Sequence, residues 1–145
     1  MHAPTPSELK KALVAHGFEI YRTTPDEVVL ADRVRDNLLM DSGVAARAGA
    51  ALAVRVTVRA EAVSFPGESE QELFSRARKL AEPATRRGYR ETAARAVPIR
   101  DPGDRSRTLD TWYEVSFERP VGDVEELAAE LRAALGLEKT AAATR

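Results

Sequence analysis

Over residues 52–62 apolar and polar side chains alternate without a break: Leu52, Val54, Val56 and Val58 point one way, Arg55, Thr57, Arg59 and Glu61 the other. Successive side chains of a strand face opposite sides, so this pattern belongs to a strand with one buried and one open face. No other feature constrains the fold as much, because a sheet with one wet face must cover its other face with helices. The alternation returns over residues 109–118, where Leu109, Tyr113, Val115 and Phe117 oppose Asp110, Trp112, Glu114, Ser116 and Glu118. Residues 18–23 alternate over a shorter span, and residues 89–97 read as a weaker strand. Between the last two strands the turn-rich stretch 100–107, with Asp101-Pro102-Gly103-Asp104 at its centre, predicts a hairpin.

The covering helices announce themselves by their starts. Thr5, Thr24, Ser69 and Asp123 each stand three residues before a glutamate, at Glu8, Glu27, Glu72 and Glu126. In that spacing the first residue caps a helix N-terminus while the glutamate reaches back to the cap's own N–H. An apolar stripe at helical spacing follows three of them. Leu9, Ala12, Leu13 and His16 follow the first, with Gly17 as a stop. Leu73, Phe74, Ala77, Leu80, Ala81 and Ala84 follow the third, where Pro83 predicts a kink or an end near Glu82. Val124, Leu127, Ala128, Leu131, Ala134 and Leu135 follow the fourth, with Gly136 as the expected stop.

The second start is ambiguous. Val28-Val29-Leu30 has strand content, yet Leu30, Ala31, Val34 and Leu38 also form a helical stripe that leaves Val29, Leu39 and Met40 off it. The favoured reading is a short strand near residues 27–32, then an irregular or helical connection to Gly43. The expected fold is therefore α+β: an antiparallel or mixed sheet of about four to five strands. Helices over about residues 6–16, 69–86 and 122–136 pack mainly on one of its faces. A single domain over residues 1–137 and a disordered tail over 138–145 complete the expectation.

At 145 residues the chain can bury a core without a staple. It contains no cysteine, which removes disulfides, thiolate metal sites and cysteine nucleophiles. The formal net charge of −1 argues against nucleic acid as a partner. Residues 1–7 are polar and proline-broken, unlike a secretory signal. The longest nearly apolar stretch, 49–54, is too short to span a bilayer. The expectation is a cytoplasmic protein without membrane contact.

Catalytic constellations are scarce. Of the two histidines, His2 sits at the terminus and His16 at a helix end, where a cap is the ordinary role. The glycines are scattered, so neither a phosphate loop nor a nucleophile elbow is present. Asp32, Asp36 and Asp41 could offer only a weak Mg²⁺ or Ca²⁺ site, and Asp101 with Asp104 reads as a turn. No catalytic residue, metal or cofactor is expected. The outward face of the two clearest strands is left, with Arg55, Arg59, Trp112 and Glu114. Trp and Arg are enriched at binding hot spots and stack on one another, so these four residues form the candidate binding surface. Charge is also segregated, with six basic residues and one acid over 76–90 but six acids and three bases over 118–139.

The strand at residues 52–59, the helix from Ser69, and Pro98-Ile-Arg-Asp-Pro-Gly-Asp-Arg105 leading into Trp112-Tyr-Glu-Val115 together resemble the tail-terminator and minor tail proteins of phages. The resemblance covers about residues 50–118 and departs over 25–48 and in the C-terminal helix. It implies a non-enzymatic ring-forming assembly protein. The element order is also similar to that of type III secretion chaperones, which implies dimers that bind extended peptides. The leading expectation is a non-enzymatic interaction or assembly module that self-associates. A chaperone-like peptide-binding module and a small enzyme or ligand-binding domain with a carboxylate site are the alternatives.

Overall fold

The computed structural model describes residues 4–49 and 51–143, with side chains as far as residue 137. The elements run α1 (Pro6–Ala15), β1 (Ile20–Thr23), β2 (Glu27–Arg35), β3 (Leu38–Arg47), β4 (Ala53–Glu61), α2 (Glu70–Leu80), α3 (Glu82–Arg86), β5 (Arg90–Asp101), β6 (Asp104–Pro120) and α4 (Val124–Ala143). Six strands, rather than four or five, form one antiparallel sheet in the order β1-β2-β3-β4-β6-β5. The fold is α+β, as expected. No helix among the described residues is long and apolar enough to cross a membrane. The chain divides into two compact units, residues 1–56 with 118–145 and residues 57–117.

In the first unit α1 starts as its sequence dictates. Thr5 Oγ1 accepts from Glu8 N at 3.2 Å, and Glu8 Oε1 accepts from Thr5 N at 3.2 Å. Leu9 and Leu13 of α1 are fully buried, as are Val28 of β2, Val44 of β3, Val54 of β4, and Leu127 and Leu131 of α4. The second candidate cap serves a turn instead. Thr24 Oγ1 accepts from Glu27 N at 3.2 Å, but Thr24 N also donates to Glu27 O at 2.9 Å, closing the β1–β2 hairpin. The same side-chain-to-backbone bonding can begin a helix or close a turn, and the β-branched residues next in the chain decide for a strand.

Two readings of the first unit need correction. The stretch expected as an irregular or helical connection is β: β2 continues to Arg35, a two-residue turn comes next, and β3 runs over Leu38–Arg47. Alternation across the turn prevails over the helical stripe because both strands find ladder partners. Nor does Gly136 end the last helix; α4 runs through it to Ala143. Gly136 has no positive φ and so does not take the left-handed stop conformation. The tail expected to be disordered, 138–145, is instead helical over 138–143, where α4 continues, and 144–145 lie outside the described residues. A Cβ added at Gly136 would meet nothing within 4 Å. Gly136→Ala is accordingly expected to raise unfolding free energy by about 0.5–1 kcal/mol in a urea titration.

In the second unit Ser69 and Glu72 form the second reciprocal cap, with Glu72 N donating to Ser69 Oγ at 3.1 Å. The long helix expected over 69–86 is broken at Ala81, which ends α2 and begins α3. Pro83 cannot donate to the carbonyl four residues back, and its ring crowds that carbonyl. Leu73, Ala77, Ala81, Ala84, Val115 and Phe117 are buried, and Phe74 meets Tyr113 edge-on at 5.1 Å. The expected hairpin is present, but its loop shrinks from 100–107 to Pro102-Gly103 because β5 extends to Asp101 and β6 begins at Asp104. β5 is an edge strand, where Pro98 can stand without costing the ladder a central bond.

Candidate functional site

Alternation sets the open face of the second unit. Thr57, Arg59 and Glu61 of β4 share it with Asp110, Trp112, Glu114 and Ser116 of β6, and a bond between Thr57 Oγ1 and Ser116 Oγ at 3.0 Å ties the two strands. Arg59 and Trp112 come together as expected. The Arg59 guanidinium carbon lies 3.7 Å from the Trp112 ring centroid, a close cation–π stack. Asp110 fixes the indole: Trp112 Nε1 donates to Asp110 Oδ2 at 3.0 Å, while Asp110 Oδ1 accepts from Val63 N at 3.0 Å. Arg59 Nε is buried without a hydrogen-bond partner among the described residues. Its nearest carboxylate oxygen, on Glu61, stands 4.0 Å away.

Glu114 is drawn to Arg95, with Arg95 Nη2 at 3.2 Å from Glu114 Oε1. Two arginines and the acids Glu61, Asp110 and Glu114 therefore share this face, which presents no field of one sign. It suits a partner surface of mixed apolar and polar character better than a simple anion.

Arg55 does something else. In the first unit it forms an ion pair with Glu27, a buried carboxylate. Glu27 stands directly opposite Arg47 in the β2–β3 ladder, and Arg47 Nη1 reaches Glu118 Oε2 at 2.9 Å. The hydrogen bond to Glu118 holds the Arg47 guanidinium pKa above its ordinary value. The row Glu118–Arg47–Glu27–Arg55 alternates in sign, so each charge has an opposite neighbour.

The other titratable residues singled out in the sequence fill local roles. His16 is the C-terminal cap of α1, its Nε2 lies 3.4 Å from Glu125, and its carbonyl accepts from Arg132 at 2.7 Å. His2 lies outside the described residues. Asp101 Oδ1 accepts from Gly103 N at 2.9 Å, and Asp104 Oδ1 accepts from both the backbone and hydroxyl of Ser106. The Ser106 hydroxyl bond, then the backbone bond, keeps the Asp104 pKa low. Asp41 Oδ1 accepts from Gly43 N at 2.8 Å. Among the described residues no three His, Asp or Glu side chains are grouped to hold a metal ion.

A second surface, not among the residues expected from the sequence, lies on the first unit. Among the described residues β1 pairs with β2 at Val28, Val29 and Leu30, with one more backbone bond from Ala31 N to Glu19 O, and β4 pairs with β3 at Val44, Ala45, Ala46 and Arg47. Beyond those positions β2 and β3 continue alone as a two-stranded ribbon with Asp32 opposite Met40 and Arg33 opposite Leu39. The ribbon leaves the sheet at a bulge, where the register shifts between Val29 and Ala31 and Gly43 takes a φ of +80°. Ser42 Oγ pins the bulge by donating to Leu30 O at 2.7 Å. A bulge of this kind bends a strand and re-aims the residues beyond it.

Leu38 and Met40, two residues apart on β3, share a face. Val34 stands beside Leu38, where a second register shift sets an extra residue of β2 against β3. All three are exposed, Val34 by 54%, Leu38 by 43% and Met40 by 49%. The available signal was alternation on either side of the polar pair Asp36-Asn37.

Comparison with family models, with curated proteins and with solved structures gave no match.

Proposed function

We propose that the chain is a protein-interaction and assembly module that self-associates, with the β2–β3 ribbon as its principal docking surface. One observation carries this reading: three large apolar side chains, Val34, Leu38 and Met40, stand exposed together on a bent, two-stranded arm. A ribbon of two strands is marginal by itself, and covering such a patch with protein stabilises both the patch and the ribbon. The Arg59–Trp112 stack offers a second anchor of the type enriched at hot spots. The likeness of residues 50–118 to phage tail-terminator and minor tail proteins implies assembly as well.

Light scattering across a concentration series tests the proposal. Met40→Lys is expected to weaken association about tenfold or more, equivalent to about 1.4 kcal/mol, while the melting temperature stays near that of the parent. Association that survives Met40→Lys but is lost in Trp112→Ala would move the docking surface to the open face. A chain that is monomeric at high micromolar concentration would sink self-association altogether.

A chaperone-like, peptide-binding role is the second reading. The ribbon's unpaired strand edges favour it, since an extended peptide can add to such an edge as a further strand. Binding of extended apolar peptides by a monomeric chain would select it.

A further inference from the structure

Leu38, Leu39, Met40 and Asp41 of β3 pair with β2 on one side. On the other side they have no strand partner among the described residues, because β4 begins its pairing only at Val44. The unpaired N–H and C=O groups of such an edge are a template for another strand. The outer edge of β2 is less free: Glu19 O accepts from Ala31 N at 2.9 Å, and the Glu19 carboxylate holds Arg33 through two bonds.

We infer that the β3 edge pairs with the same edge of a second copy, antiparallel, about a two-fold axis through Leu39. This rests on the ribbon being the docking surface. In an antiparallel pair, residues directly opposite both turn their hydrogen-bonding groups toward the partner or both turn them away. A regular strand pairing with its own copy must therefore place the axis on a residue, not between two. With the axis on Asp41 the two Asp41 carboxylates stand opposite one another, which is destabilising. With the axis on Met40, Leu39 faces Asp41. With the axis on Leu38, Met40 faces Asp36 and Leu39 faces Asn37.

The axis on Leu39 sets Leu38 against Met40, Leu39 against Leu39 and Asp41 against Asn37. Every apolar residue then meets an apolar one, and no like charges meet. The bulge at Gly43, with its φ of +80°, ends the pairing beyond Asp41. One face of the resulting four-stranded ribbon carries Leu38 and Met40 from both copies, flanked on each β2 by Asp32 opposite Met40, Arg35 opposite Leu38 and the bulged Val34.

The chain has no cysteine, so an introduced thiol reports its own neighbours. Leu39→Cys places two thiols at opposite positions about 4.5–5.5 Å apart between Cα atoms, within disulfide range. Under mild oxidation most of this variant is expected to run as a covalent dimer on a non-reducing gel. Val34→Cys, three strand spacings or about 14 Å from its copy, is expected to stay uncrosslinked. An equimolar mixture of Leu38→Cys and Met40→Cys chains, both substituted at exposed positions, is expected to cross-link more than either chain alone. That mixture keeps the test decisive if the half-buried Leu39 position does not accept cysteine.

A dimer by light scattering in which neither Leu39→Cys nor the mixture cross-links would overturn the two-fold pairing and leave the docking surface standing. Cross-linking through Val34→Cys alone would overturn it in favour of face-to-face docking. A chain that is monomeric at high micromolar concentration would overturn both.

Discussion

Arg55→Ala is expected to lower the unfolding free energy by about 3 kcal/mol, because it strands the Glu27 carboxylate in the interior without its ion-pair partner. Glu27 is 6% exposed and cannot regain water in the folded state. Arg47, opposite Glu27 in the ladder, and the partial exposure of Arg55 hold the loss to the lower end of the range for broken buried pairs. In thermal melts the same change is expected to lower the midpoint by about 9 °C. The double replacement Glu27→Leu with Arg55→Leu is expected to recover most of the loss, since an apolar pair of similar volume leaves no buried charge. A loss below about 1 kcal/mol in the single variant would show that Glu27 is not dependent on Arg55. Association per folded chain is expected to stay unchanged, which separates Arg55 from the docking residues.

Leu131→Ala is expected to cost about 3–4 kcal/mol by urea denaturation, through lost burial and the cavity left behind. Leu131 is fully buried, on the α4 stripe that also buries Leu127, Ala128 and Ala134. Leu131→Met, which keeps the volume, is expected to cost less than about 1.5 kcal/mol. Leu135→Ala, at a half-buried position one turn on, is expected to cost less than Leu131→Ala. Equal losses at Leu131 and Leu135 would contradict the face that α4 buries.

The site residues show how far sequence reasoning reaches. Alternation puts Arg59 and Trp112 on one face of two strands, and the stack follows from that face. Arg55 obeys the same alternation, but its fate depended on Glu27, a residue of β2 whose pairing no local pattern reveals. Val34, Leu38 and Met40 were hidden for the opposite reason. Their spacing satisfies both a helical stripe and a hairpin, and the choice between them rests on ladder partners distant in the chain.

Local pattern is enough for the α+β class, the reciprocal caps at Thr5 and Ser69, the interruption at Pro83 and the one-sided strands over 52–62 and 109–118. All of these follow from interactions within a few residues or from burial period alone. Long-range pairing and packing set the six-strand order, the β3 strand, the helical passage through Gly136, the engagement of Arg55 with Glu27 and the exposure of the ribbon. Each of those depends on which distant backbone or charge a segment meets. The first alternating stretch illustrates both halves: its period makes it a strand, while its neighbours separate Arg55, paired with the buried Glu27, from Arg59, stacked on Trp112.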